Sequence, residues 1–186
     1  YKRTLSHTNN PTYVERMPIF RHVHLATKIP VVDLKHDDLR TVLCRNSDFC
    51  ITDKADGYRS QLYINEKGHA ILTGFGNVEH LPIHSQLDQY GPKYHDCLFD
   101  GEMVTTQSGQ RVYLIFDCLF WNGESLLDYP LLHRNDNMLT FSDHCRYNIN
   151  NLVTICKDLN NMRTSDTDVT FNFKKYYWAP SCQEQR

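Results

Sequence analysis

The stretch FCITDKADGYRSQLYI, residues 49–64, sets a charged hexapeptide, KADGYR, between two runs of strand-forming residues. A strand here breaks off to present Lys54, Asp56, Gly57 and Arg59, then resumes. The bland reading is a surface ion-pair cluster at a β-turn opened by Gly57. Two further interruptions weigh against it. Asp100-Gly101-Glu102 lies inside the strand-like segment CLFDGEMVT, and Asp117 lies inside RVYLIFDCLFW. Carboxylates within a sheet are costly unless they are paired or bound to a cation.

Outward from this stretch, alternation and turn chemistry predict antiparallel sheet. RSQLYINEKGHAILTGF is split at Asn65-Glu66-Lys67-Gly68, a hairpin turn in which glycine supplies a positive φ. CLFDGEMVT and RVYLIFDCLFW are joined by a turn at Gln107-Ser108-Gly109-Gln110, and the second is rich in the β-branched and aromatic residues of buried strands. Asp37 is placed to cap a short helix with an apolar face of Leu39, Val42 and Leu43, leading to a strand at residues 49–52. The mixed segment GNVEHLPIHSQLDQYGPKYHD is expected to hold a short helix. Residues 125–160 change period: Pro130, Leu131, Leu132, Arg134, Met138 and Leu139, then Tyr147, Ile149, Leu152, Ile155 and Leu159, fit one or two helices divided near Ser142-Asp143. VTFNFKKYYW reads as one more strand. The expected class is α+β, mainly antiparallel sheet with flanking helices. Residues 1–28 read as an extended lead-in and 29–186 as a partial folded domain.

Composition bounds the function. At 186 residues the chain suits one domain or the larger part of one, and 40% hydrophobic content argues for a packed globule. A formal charge of -2 means that an anionic partner must be met by a local patch. The seven cysteines contain no C-x-x-C pair and read as reduced thiols of an intracellular protein. No apolar run approaches the ~20 residues of a membrane helix, so no membrane partner is expected. The chain starts at Tyr1 and stops at SCQEQR, which reads as a piece of something longer. GFGN at 74–77 is a turn between strands rather than a phosphate loop, and His22, His24 and His36 lack neighbouring ligands for a metal site. Lys174, Lys175, Tyr176, Tyr177 and Trp178 mix basic and aromatic residues as RNA-binding strands do, although sheet packing explains the aromatics as well.

The three polar interruptions suggest nucleotidyl transfer. A lysine can attack an electrophile and form a covalent intermediate. Arginine's donor fork suits phosphate or ribose. Asp100 and Glu102, either side of Gly101, project from one strand face and could hold Mg2+ or a sugar hydroxyl. Phe116 could stack on a base.

KADGYR resembles the K-x-D-G-x-R motif of the covalent nucleotidyltransferase superfamily, which contains mRNA capping enzymes (RNA guanylyltransferases) and polynucleotide ligases. LFDGEMV is similar to its third motif and VYLIFDCL to the hydrophobic strand motif that follows. The lead-in from Ile29, the short step from Asp100 to Asp117, Thr52 in place of a ligase glutamate, and FNFKKYY tilt the resemblance toward capping. NGESL and the PL..R stretch resemble DNA ligases instead, leaving an ATP-dependent ligase as the alternative, with a catalytically incomplete RNA- or partner-binding fragment as a third.

The resemblance implies a core of DNA-ligase type (ATP-grasp-like), without the family's later motifs and its OB-fold domain. Lys54 is the implied nucleophile on the α-phosphate of GTP, with Thr52, Asp53, Lys54, Arg59, Glu102 and Phe116 around the nucleotide. Asp56 would hold the loop against Arg59 or another base, and Asp117 would orient a neighbour. Mg2+ or Mn2+ is implied as cofactor, with Glu102 and Asp100 as candidate ligands. The implied acceptor is 5′-diphosphate RNA, with RNA triphosphatase and methyltransferase domains or subunits as companions. The implied compartment is nucleus or cytoplasm, or a viral factory or virion for a viral protein.

Overall fold

The computed structural model describes residues 35, 50–65, 67–74, 77–83, 94–132, 149–164 and 168–178. They belong to two compact units. The larger takes in Ala55–Phe173; the smaller contains the described residues up to Lys54 and from Lys174 on. The expected lead-in and the Asp37 helix lie outside the described residues.

The described residues of the smaller unit include a two-stranded antiparallel sheet. Strand β1 (Cys50–Thr52) pairs with β9 (Tyr176–Trp178), and Ile51 stands opposite Tyr177. The Thr52 hydroxyl donates to the Lys175 carbonyl at 2.8 Å. VTFNFKKYYW is therefore two strands rather than one, interrupted at Lys174 and Lys175, with its halves in different units.

The larger unit is built on one sheet. Its strands are β2 (Tyr58–Ile64), β3 (Ala70–Gly74), β4 (Asn77–His80), β5 (Cys97–Thr105), β6 (Arg111–Trp121), β7 (Glu124–Ser125) and β8 (Val169–Phe173). The order is β4-β3-β2-β5-β6-β7, with β8 also on β6. All pairings are antiparallel except β8 with β6, which is parallel and follows the helix α1 (Ile149–Asn161). The sheet is thus mainly antiparallel, as expected, with one parallel pairing that the sequence did not signal.

Turn residues act as expected. The Asn65 carboxamide oxygen accepts from the amides of Lys67 and His69, both at 2.9 Å, and closes the β2–β3 hairpin. Thr106 and Gln110 close the β5–β6 turn, with Gly109 at φ 83°. Asn122 (φ 50°) and Gly123 (φ 82°) form the two-residue turn between Trp121 and Glu124, the primed geometry that matches strand twist. NGES therefore begins a hairpin, and its likeness to a ligase segment has this local explanation.

One expectation fails. Residues 124–132 are β7 followed by turns, not helix, because the Asn-Gly turn and Pro130 override the apolar spacing. The mixed segment begins with a strand, Asn77–His80, paired with β3; residues 84–93, where its short helix was expected, lie outside the described residues. The proposed break at Ser142-Asp143 lies outside the described residues. Helix α1 keeps the expected face: Leu152, Ile155, Cys156 and Leu159 are buried at i, i+3, i+4 and i+7, and Val153 is exposed.

One sheet face carries the core. Leu62, Ile64, Phe99, Met103, Tyr113 and Ile115 lie on it and are buried. Arg111 on β6 forks onto Glu79 of β4, with Oε1 at 3.1 Å and Oε2 at 2.6 Å, and also bonds Asp168. Three strands lie between β4 and β6, so a flat sheet would put them ~19 Å apart. The sheet therefore curls around its core face. Tyr94 bonds the Asp158 carboxylate, and the Asn160 carboxamide pairs with both backbone groups of Phe171, at 2.9 and 2.7 Å. These contacts tie α1 to the sheet.

Candidate active site

The opposite face of the same sheet is polar at its centre. Register partners share a face, which places Arg59 and Gln61 of β2 beside Glu102 and Asp100 of β5, with Thr73 of β3 next to Gln61 and Asp117 of β6 next to Asp100. One row across four strands reads Thr73, Gln61, Asp100, Asp117. The adjacent row holds Arg59, Glu102 and Leu114.

Arg59 and Asp100 are the best-defined contact. The Arg59 Nε donates to both Asp100 oxygens, at 3.0 and 3.1 Å, and its terminal nitrogen donates to Oδ2. The Asp100 side chain is only 3% exposed, whereas Arg59 keeps half of its surface open. A buried carboxylate thus anchors a cation that still faces outward. Asp56, expected to hold the loop against Arg59 or another base, is exposed, and the carboxylate that Arg59 bonds is that of Asp100.

The glycines of both motifs serve packing. A Cβ on Gly57 would lie 2.3 Å from the Met103 carbonyl oxygen and 3.0 Å from Cγ of Glu102. The turn after Lys54 is thereby pressed onto the strand that carries Glu102. A Cβ on Gly101 would meet the Tyr113 ring at 2.5 Å. Tyr113 lies across β5, accepts from the Leu62 amide at 3.0 Å and donates to the Ser60 carbonyl at 3.0 Å. Burial, then the nearby Asp100 carboxylate, push its phenol well above the usual range. Gly101 therefore seats Tyr113 beneath the Asp100–Glu102 pair.

Phe116 occupies a bulge. Asp100 pairs with Asp117 and Gly101 with Ile115, so Phe116 is the extra residue of β6. The bulge also turns Asp117 onto the polar face, which simple alternation from Ile115 would deny it. Asp117 accepts from the Cys118 amide at 2.8 Å, an orienting contact within its own strand.

Thr52, Asp53 and Lys54 belong to the smaller unit; Asp53 and Lys54 are exposed. Among the described residues no three His, Cys, Asp or Glu side chains form a group able to hold a metal ion. Asp100 bonds Arg59 through both oxygens, and its carboxylate is shared with the guanidinium. Glu102, half-buried at the same face, is a second carboxylate of the hard-oxygen type that suits Mg2+ or Mn2+.

Gln61 and Thr73 were not singled out in the sequence. Their signal was parity: Gln61 follows Arg59 by two on the same strand, hence on the same face. Both are buried, Gln61 at 4% exposure and Thr73 at 7%.

The sequence model of the mRNA capping enzyme catalytic domain matches residues 24–171, most of the chain and all of this face. The chain belongs to that family. It is similar to the mRNA-capping enzyme subunit alpha of Candida glabrata, with 27% identity over 123 residues, 55% of this chain and 27% of that protein. The chain spans about a quarter of the length of that curated relative. Within the family's matched region lie the Lys54 hexapeptide, both acidic strands and α1.

Proposed function

We propose that the protein is an mRNA guanylyltransferase, with a core of the covalent nucleotidyltransferase type, that moves GMP from GTP to the 5′-diphosphate end of RNA. The observation that carries this reading is the half-open Arg59 anchored on buried Asp100, directly opposite Glu102 in the β2–β5 register and five residues after Lys54, in a chain of the capping-enzyme family.

In the first step the neutral Lys54 Nζ attacks the α-phosphorus of GTP. A P–N bond forms, the bond to the bridging oxygen breaks, and pyrophosphate leaves with its electron pair while the amine gives up a proton. In the second, a terminal oxygen of the RNA diphosphate attacks the same phosphorus, and Lys54 departs with a proton regained. The role of Arg59 is to grip ribose or phosphate with a guanidinium that Asp100 has already oriented, so that less freedom is lost on binding. Glu102 would meet a ribose hydroxyl or the divalent ion, and Phe116 the base. Mg2+ or Mn2+ would supply neutralisation of phosphate charge. The Thr52 hydroxyl, with its proton committed to the Lys175 carbonyl, offers only an acceptor oxygen to a base.

The test is to incubate the full-length protein with α-labelled GTP or ATP and Mg2+. Acid-labile label from GTP, absent in Lys54→Ala and discharged by 5′-diphosphate RNA, is the expected result. Label from ATP alone would sink the proposal in favour of a ligase, and no label from any nucleotide would leave a non-catalytic binding fragment.

A further inference from the structure

The row Thr73, Gln61, Asp100, Asp117 contains one group with no partner. The Gln61 carboxamide oxygen is buried and accepts no hydrogen bond. Buried acceptors in native proteins are nearly always satisfied, so an orphan calls for an explanation. Its neighbours on the row cannot supply a donor. The Thr73 hydroxyl is directed to the Gln61 main-chain carbonyl at 3.4 Å. Asp100 and Asp117, when ionised, only accept, and they already do so from Arg59 and from the Cys118 amide. The centre of this face is therefore acceptor-rich, and among the described residues of the row none supplies the missing donor, which a bound ligand would bring.

We infer that Gln61 is a specificity-determining residue, whose side-chain oxygen accepts a hydrogen bond from a donor group of the bound nucleoside. The inference rests on the nucleotide-binding reading above. Position supports it. Gln61 stands two residues beyond Arg59, ~7 Å along the strand, a span that one nucleoside bridges from the phosphate side inward. The terminal torsion of glutamine is broad, so the oxygen can turn toward an arriving donor. A nucleoside offers two sources of that chemistry that analogues can remove one at a time, a ribose hydroxyl or the exocyclic amino group of guanine.

Analogues separate the two sources. Equilibrium binding of GTP, 2′-deoxy-GTP, 3′-deoxy-GTP and ITP, which lacks the base amino group, is compared for the full-length wild type, Gln61→Met and Gln61→Leu. The wild type is expected to prefer GTP by about tenfold over the analogue missing the donor that Gln61 meets, the size of one hydrogen bond. In both variants that one ratio falls to near unity, because GTP itself binds about tenfold more weakly, while the other ratios hold. A ribose analogue losing its discrimination identifies the sugar; ITP doing so identifies the base. Unchanged ratios for all three analogues in both variants overturn the inference. Thermal melting checks folding: filling the site with an apolar side chain removes an unsatisfied group, so the melting midpoint should stay level or rise. A sharp fall with unchanged ratios would make Gln61 structural and also overturn the inference. Wild-type protein that binds no nucleotide would instead refute the underlying reading, a result distinguishable because it does not depend on Gln61.

Discussion

The Arg59 guanidinium sits on both oxygens of Asp100, and the two partners differ sharply in burial: Asp100 is enclosed while Arg59 is half open. This asymmetry organises the polar face. Among the described residues Arg59 is the partner that offsets the lost hydration of Asp100, whereas Arg59 can fall back on water.

Removing the two partners should therefore have unequal effects. Arg59→Ala leaves a buried carboxylate unpaired and is expected to cost on the order of 2 kcal/mol, and Asp100→Asn, which keeps an acceptor, roughly 1 kcal/mol. Urea unfolding of both variants checks this. Equal losses would show that Asp100 finds another donor. Nucleotide binding should fall in both, since Arg59 is either absent or no longer oriented.

Gly101→Ala should destabilise by about 2–4 kcal/mol, because its Cβ would sit 2.5 Å from a fully buried Tyr113 ring. Combined with Tyr113→Leu, the loss should be below the sum of the single losses, since the ring contacts are then gone and only the approach to the Leu114 carbonyl oxygen, at 2.7 Å, remains. Strict additivity in the unfolding free energies would refute this seating role.

The end of α1 substitutes for a missing strand neighbour at β8. Asn160→Ala removes both bonds to Phe171 and should cost roughly 2 kcal/mol. Amide exchange should accelerate at Phe171 first, and an unaltered rate there would count against the role.

Alkaline pH should weaken the fold. Burial pushes the Cys97 and Cys156 thiols up from 9.0 to about 12. The native state thus holds these protons more tightly than the unfolded chain. Their contribution is fully present below pH 9 and is lost between pH 9 and about 12, at roughly 1 kcal/mol per pH unit per thiol. Melting curves from pH 8 to 10.5 should show the decline, and Cys156→Ala should flatten it. An identical slope in that variant would assign the decline to other groups.

What the sequence determined by itself was local. Asn65 through Gly68, the Ser108-Gly109 turn and the Leu152, Ile155, Leu159 stripe were legible because turn chemistry and periodicity act over a few residues. The Lys54 hexapeptide and the two acidic strands were legible as chemistry through their residue types and order. The tertiary structure alone decided the rest. Whether Arg59 meets Asp56 or Asp100 depends on how β2 registers against β5, a choice made across 41 residues of chain. The bulge at Phe116 turns Asp117 to the polar face, and nothing in the local alternation signals it. The parallel seat of β8 on β6 required α1 to carry the chain back, and the split of VTFNFKKYYW followed from its halves entering different sheets. Gly101 owes its place to a tyrosine on the next strand, and the orphaned oxygen of Gln61 exists only because the folded sheet buries it without a partner. These are all decisions of long-range packing, where a side chain's role is set by neighbours that the sequence does not place beside it.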